Sequence, residues 1–153
     1  MPTQLKQRQV HLDFHTSPFI PEIGADFDAR AFAQTMKQAH VNSVTVFAKC
    51  HHGWSYYPTR VGSPHPHLKI DLLGEQIVAC HEIGVRAPIY YTIGWSAADA
   101  EKHPDWCVRT REGRIAATSW DDQAGPDTPK PPVQWKHLCP SGDYHALIHA
   151  QTE

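Results

Sequence analysis

Extended apolar segments alternate with helical patterns along this chain, and that alternation restricts the fold more than any single motif does. Val10 to His15 alternates apolar and polar residues, as a strand with two differently used faces does. A loop bearing Pro and Gly, Thr16 to Ala25, leads to Asp26 and Asp28, capping residues for a helix over Ala29–Ala39. Ala29, Phe32, Ala33, Met36 and Ala39 keep the three-and-four spacing of one buried face. The run Val41–Ala48, rich in β-branched residues, predicts a second strand ending near Lys49, and a polar, aromatic loop follows from Cys50 to Lys69. Asp71–Ile83 predicts a second helix, with Leu72, Leu73, Ile77 and Cys80 on its apolar side and Gly84 as its stop. Val85–Ile93 reads as a third strand, with Pro88 awkward for a central position.

From Gly94 onward the sequence is mostly loop. Ala97–His103 predicts a helical turn ahead of Pro104, and Arg109–Ala116 a small hairpin around Glu112-Gly113. Asp121 to Pro132 reads as an exposed or mobile loop. Ser141 or Asp143 caps a third helix that is unfinished at Glu153. Strands separated by helices imply right-handed crossovers and a parallel sheet. The expected fold class is α/β, the first three βα units of a (β/α)8 TIM barrel, which takes about 250 residues when whole. Residues 1–153 then form the N-terminal portion of a single, incomplete barrel domain. A complete three-stranded open α/β domain is the alternative. A barrel fragment exposes unpaired strand edges, which invite self-pairing.

Composition narrows the function classes. The formal net charge of −2 gives no basic excess to attract nucleic acid or anionic lipid. No apolar run approaches the roughly 18 residues of a membrane span, and the first residues lack the apolar core of a secretory signal, so a cytoplasmic location is expected. Cys50, Cys80, Cys107 and Cys139 stand about 27 to 32 residues apart without a CxxC pair, which fits neither a disulfide framework nor structural zinc. They read as free, mostly buried thiols.

Histidine, at 12 copies, is the compositional oddity. In a parallel barrel, function gathers where strands end. Strand one closes with Asp13 and His15 on one side; strand two with Lys49 and His51 on one side, followed by His52-Gly53-Trp54. Strand three closes with Tyr91, Ile93 and Trp95 on one side and Tyr90 and Thr92 on the other. Polar groups beside Trp and Tyr faces suit a hydroxyl-rich ligand such as a sugar, whose hydroxyls need partners and whose C–H faces pack on aromatic planes. The plainer reading of Trp54, Tyr56 and Tyr57 is that they cover a loop. His11, deeper on strand one, reads as a hydrogen-bonded interior histidine, and Asp13 either orients His15 or a lysine or satisfies backbone donors. Lys49 contacts substrate or neutralises a neighbouring carboxylate. His40, His81, His145 and His149 fall on helices or helix ends and face solvent.

His51-His52 with His65-x-His67 and His11/His15 supply enough nitrogen for a zinc ion. Adjacent strand residues point opposite ways, however, so His51 and His52 do not easily share one, and no metal site is assigned. HExxH, GxSxG, P-loop and GxGxxG motifs are all absent.

Several short motifs in order carry a resemblance: Leu12-Asp-Phe-His-Thr-Ser-Pro18, Val44-Thr-Val-Phe-Ala-Lys-Cys-His-His-Gly53, Tyr57-Pro-Thr59, Asp71-Leu-Leu-Gly-Glu75, Tyr90-Tyr91 and His103-Pro-Asp-Trp106. The chain resembles the hypothetical glycosyl hydrolase 6 family over Val10–Ile115 and Trp135–Tyr144, and that family is similar to the α-L-fucosidases. The resemblance implies that His15 takes the place of a strand-one histidine that contacts the sugar. It lays Lys49, Cys50, His51, His52, Gly53 and Trp54 along a Lys-His-His-Asp-Gly-Phe motif, and Tyr91 on the tyrosine after strand three. Cys50 and His52 depart from that motif, which has His and Asp there, so a sugar related to fucose fits as well as fucose. The implied activity is hydrolysis of O-glycosidic bonds by a carboxylate pair in the intact protein. Nothing here matches the nucleophile motif, so the catalytic carboxylates are expected beyond residue 153. His15, Lys49, His51, His52, Trp54, Tyr91 and Trp95 are the expected carbohydrate-binding residues, with no cofactor. A non-catalytic carbohydrate-binding module or a metal-dependent barrel hydrolase are the alternatives.

Overall fold

A computed structural model of the chain describes residues 6–118 and 135–153. The loop expected from Asp121 to Pro132 lies outside them. The described chain forms two compact units, the first from residues 6–50, 55–59 and 64–91, the second from residues 51–54, 60–63, 92–118 and 135–153.

The first unit holds β1 (Gln9–His11), α1 (Ala29–Gln38), β2 (Ser43–Lys49), α2 (Leu72–Glu82) and β3 (Ile89–Tyr91). The strands pair in parallel in the order β1-β2-β3, as expected from their separation by helices. Asp28 accepts from the Ala31 N–H at the start of α1, and Asp71 from the Gly74 N–H at the start of α2, each satisfying a donor the helix itself leaves orphaned. Gly84, at φ +72°, turns the chain out of α2. One face of the sheet presents Val44, Val46 and Ala48 to Met36 of α1 and to Leu73 and Cys80 of α2. Each fully buried large apolar side chain there contributes about 1.5–3 kcal/mol. A second cluster joins Phe47, Cys50 and Tyr56 to Ile23 and Leu72.

β1 and β3 are shorter than their apolar runs. At β3 the reason is Pro88: Arg86 donates to Asn42 O and accepts from the Val44 N–H, and Pro88 O accepts from the Val46 N–H. The rung between, from residue 88 to Val44 O, is missing because proline has no N–H.

The second unit holds α3 (Ala97–Lys102), a 3-10 turn (Pro104–Trp106), β4 (Ala117–Thr118) paired antiparallel with β5 (Trp135–Lys136), and α4 (Asp143–Thr152). The hairpin expected around Glu112-Gly113 forms, with Arg109 and Ile115 paired and Gly113 at φ +81°. The helix expected from Ser141 begins instead on Gly142 without a side-chain cap, and the Ser141 hydroxyl pairs with the Cys139 thiol. Ala100, Cys107, Leu138 and Tyr144 form this unit's core, and the buried Tyr144 hydroxyl donates to Ile93 O at 2.8 Å. All four cysteines are free, three of them buried. Among the described residues, no helix is long and apolar enough to cross a membrane.

Candidate functional site

In the first unit the expected residues sit at the strand ends. The chain stays extended just past β1, and the Leu12 N–H donates to Thr45 O. His15 Nε2 lies 2.8 Å from Asp13 Oδ1, so the carboxylate orients this imidazole. Burial pushes His15 below the ordinary histidine value, against the opposing pull of Asp13. The neutral ring therefore donates from Nε2 to the carboxylate. It meets Phe47 edge-on at 5.1 Å and Tyr90 edge-on at 5.9 Å, and Phe47 stacks on Tyr90 at 4.2 Å. His11 is not interior: its side chain is 52% exposed and lies 3.9 Å from Asp13. It belongs to an edge strand, where a sheet of three covers it from one side only.

Lys49 is 1% exposed, with its ammonium 3.5 Å from the Tyr91 hydroxyl and 5.2 Å from that ring's centroid. A register shift between Phe47 and Lys49 creates this arrangement, since Phe47 pairs with Tyr90 and Lys49 with Tyr91. Two residues apart on β2 thus oppose two consecutive residues of β3. Tyr90 and Tyr91 serve opposite sides, as expected: Tyr91 packs with Val44, Val46 and Ala48, whereas Tyr90 packs with Phe47 and joins the aromatic group around His15. Tyr90 is absent from the expected site residues; Phe47, its partner on β2, was the available signal.

In the second unit, His51 and His52 occupy a turn docked on the start of α3. Their carbonyls accept the N–H groups of Ala97 and Ala98, which the helix leaves without intrahelical partners. Gly53 permits this approach: it sits at φ +91°, and a Cβ there would lie 2.6 Å from Ser96 Oγ and 2.9 Å from Ala98 N. β2 has ended at Lys49, so strand alternation does not govern the two histidines, and their rings stack at 5.0 Å and 28°. The expectation that they point apart is overturned. Trp135 lies edge-on to both, at 4.3 Å and 4.7 Å, and Trp95 edge-on to His51 at 6.4 Å. Trp95 is 42% exposed, and its Nε1–H donates to His137 Nδ1 at 2.9 Å. Trp54 is half-buried. Trp135 and His137 were missed as site residues because a non-local antiparallel pairing, Trp95 with His137, brings them there.

The histidines proposed as zinc donors do not assemble. His65 is buried, its Nδ1 accepts from the His67 N–H, and its Nε2–H donates to Ser17 O at 3.1 Å. Both nitrogens are thereby used, and burial lowers its pKa. No group of three metal-capable side chains occurs among the described residues. The first unit instead sets imidazole and ammonium donors beside half-buried Tyr90 and Tyr91, and the second sets imidazoles beside the exposed Trp95.

The description "hypothetical glycosyl hydrolase 6" matches residues 28–153. The chain belongs to this family. It superposes on an α-L-fucosidase isoenzyme 2 from Paenibacillus thiaminolyticus with a TM-score of 0.82 and 42% identity, over 96% of this chain and 21% of that one. The chain therefore spans about a fifth of that relative's length. Two distant structures share the fold alone: a hypothetical protein from Ruminiclostridium thermocellum (15% identity, TM-score 0.57, 86% of this chain and 65% of that one) and a noncanonic maltogenic α-amylase from Thermotoga neapolitana (12%, 0.54, 94% and 35%). Among curated proteins, none matches.

Proposed function

We propose that this chain is the N-terminal part of a (β/α)8 glycoside hydrolase that cleaves O-glycosidic bonds of α-L-fucosides or a closely related sugar. The observation that carries the reading is the match to the Paenibacillus α-L-fucosidase, at 42% identity across nearly the whole of this chain. In this reading residues 1–153 belong to one barrel domain, and their role is to bind sugar. His15, Lys49 and Tyr91 hydrogen-bond hydroxyls. His51 and His52 contribute ring nitrogens, and Trp54 and Trp95 present faces to C–H groups. The Asp13 carboxylate is bound up with His15, so the acid and the nucleophile or base come from elsewhere in the intact protein.

The test is hydrolysis of an aryl α-L-fucoside by the intact gene product and, separately, by residues 1–153. The intact protein is expected to turn over substrate, and His15→Ala to reduce kcat/KM at least tenfold. The 153-residue chain is expected to be inactive. Enzyme-like turnover by the short chain would overturn the placement of the catalytic carboxylates. An intact protein inert toward a panel of aryl glycosides would overturn the reading as a hydrolase.

A further inference from the structure

We propose that the exposed face of α4 binds a divalent transition-metal ion, with the imidazoles of His145 and His149 as its two protein ligands. Residues four apart lie one above the other on a helix. Both side chains are exposed, and their rings stand 4.4 Å apart at 68°. Two nitrogens each about 2.0–2.1 Å from a tetrahedral zinc ion lie about 3.4 Å from one another, within reach of these rings through small side-chain rotations. Glu153, one turn further on, places Oε1 3.8 Å from His149 Nδ1. That turns Nδ1 toward the carboxylate and leaves Nε2 for the ion, the arrangement in which a carboxylate orients a metal-binding imidazole.

The other side of α4 is occupied: Tyr144 is buried in the core of its unit, and Leu147 and Ile148 pack against it. Metal binding on the histidine face therefore displaces no core contact. Paired imidazoles suit Zn²⁺, Ni²⁺ and Cu²⁺ and not Mg²⁺ or Ca²⁺, and solvent completes the coordination. The site is independent of the carbohydrate reading.

The test titrates the full chain with Ni²⁺ by calorimetry and with Cu²⁺ by amide line broadening, in a buffer that does not chelate. One ion is expected to bind at this face, Cu²⁺ more tightly than Ni²⁺ or Zn²⁺, with Mg²⁺ giving no heat. His145→Gln and His149→Gln are each expected to weaken binding at least tenfold, with unchanged circular dichroism because both positions are exposed. Broadening is expected to centre on residues 145–153. Affinity unchanged in both variants, broadening centred on His51 and His52, or no saturable binding would each overturn the proposal.

Discussion

The Tyr56 hydroxyl fastens the loop that carries His15, and removing it tests how that side chain is held. Tyr56 is 1% exposed; its oxygen accepts the Thr16 N–H at 3.0 Å and pairs with Thr16 Oγ at 2.7 Å. Burial, reinforced by the Cys50 thiol beside it, pushes the phenol well above its ordinary value, so it remains a neutral donor and acceptor at any working pH. Tyr56→Phe keeps the ring against Phe14 and within its cluster but leaves the buried Thr16 N–H without its partner. An orphaned buried donor costs about 1–3 kcal/mol, and the lost hydroxyl pair adds about 0.5–1.5 kcal/mol. The expected loss is about 2–4 kcal/mol, read as a lower urea midpoint at an unchanged slope. Thr16→Val removes only the hydroxyl pair and is expected to cost the smaller part, with strong non-additivity in the double variant because the two share one contact. A Tyr56→Phe loss below about 0.5 kcal/mol would refute the assignment of this hydroxyl as the anchor of Thr16.

Three further outcomes follow from other contacts. Gly53→Ala combines a left-handed backbone with contact against Ala98 N, and is expected to cost about 2–4 kcal/mol and to weaken ligand binding by displacing the His51-His52 turn; thermal unfolding and a sugar titration measure the two effects. Asp71→Ala removes the cap of α2 and is expected to cost about 1 kcal/mol in urea unfolding, with Asp71→Asn recovering most of it. The lowered pKa values of His15 and His65 make stability fall on acidification. Above pH 6.5, the ordinary histidine value, both groups are neutral in folded and unfolded chains alike. Below it the unfolded chain takes up protons that the native state refuses, so stability is lost as pH falls toward the folded values. His65→Gln is expected to flatten that decline in urea melts recorded between pH 7 and pH 5, and an unchanged slope would contradict the burial argument.

The helices of the first unit were legible because their signals are local. Asp28 and Asp71 cap them, Met36, Leu73 and Cys80 fall on the expected faces, and Gly84 ends α2. The strands were legible in order and direction but not in extent, because one missing N–H at Pro88 outweighs a continuous apolar run. At the site, the Asp13–His15 and Lys49–Tyr91 pairs follow from strand ends, which periodicity locates. Tyr90 faces the side that alternation gives it, but its place beside His15 depends on stacking against Phe47 of the neighbouring strand, a contact that periodicity along one segment does not report. The stacking of His51 on His52 escaped alternation because the strand had already ended. Trp135 and His137 escaped because the pairing that brings His137 to Trp95 spans more than forty residues and leaves no periodic trace.

The most direct test of the account is a chemical-shift titration of the isotope-labelled chain with L-fucose. Saturable shifts are expected at His15, Lys49 and Tyr91 and at His51 and Trp95, with the α4 residues His145 and His149 unmoved. Shifts absent up to high sugar concentration, or confined to residues away from these side chains, would contradict the claim that this segment binds the sugar.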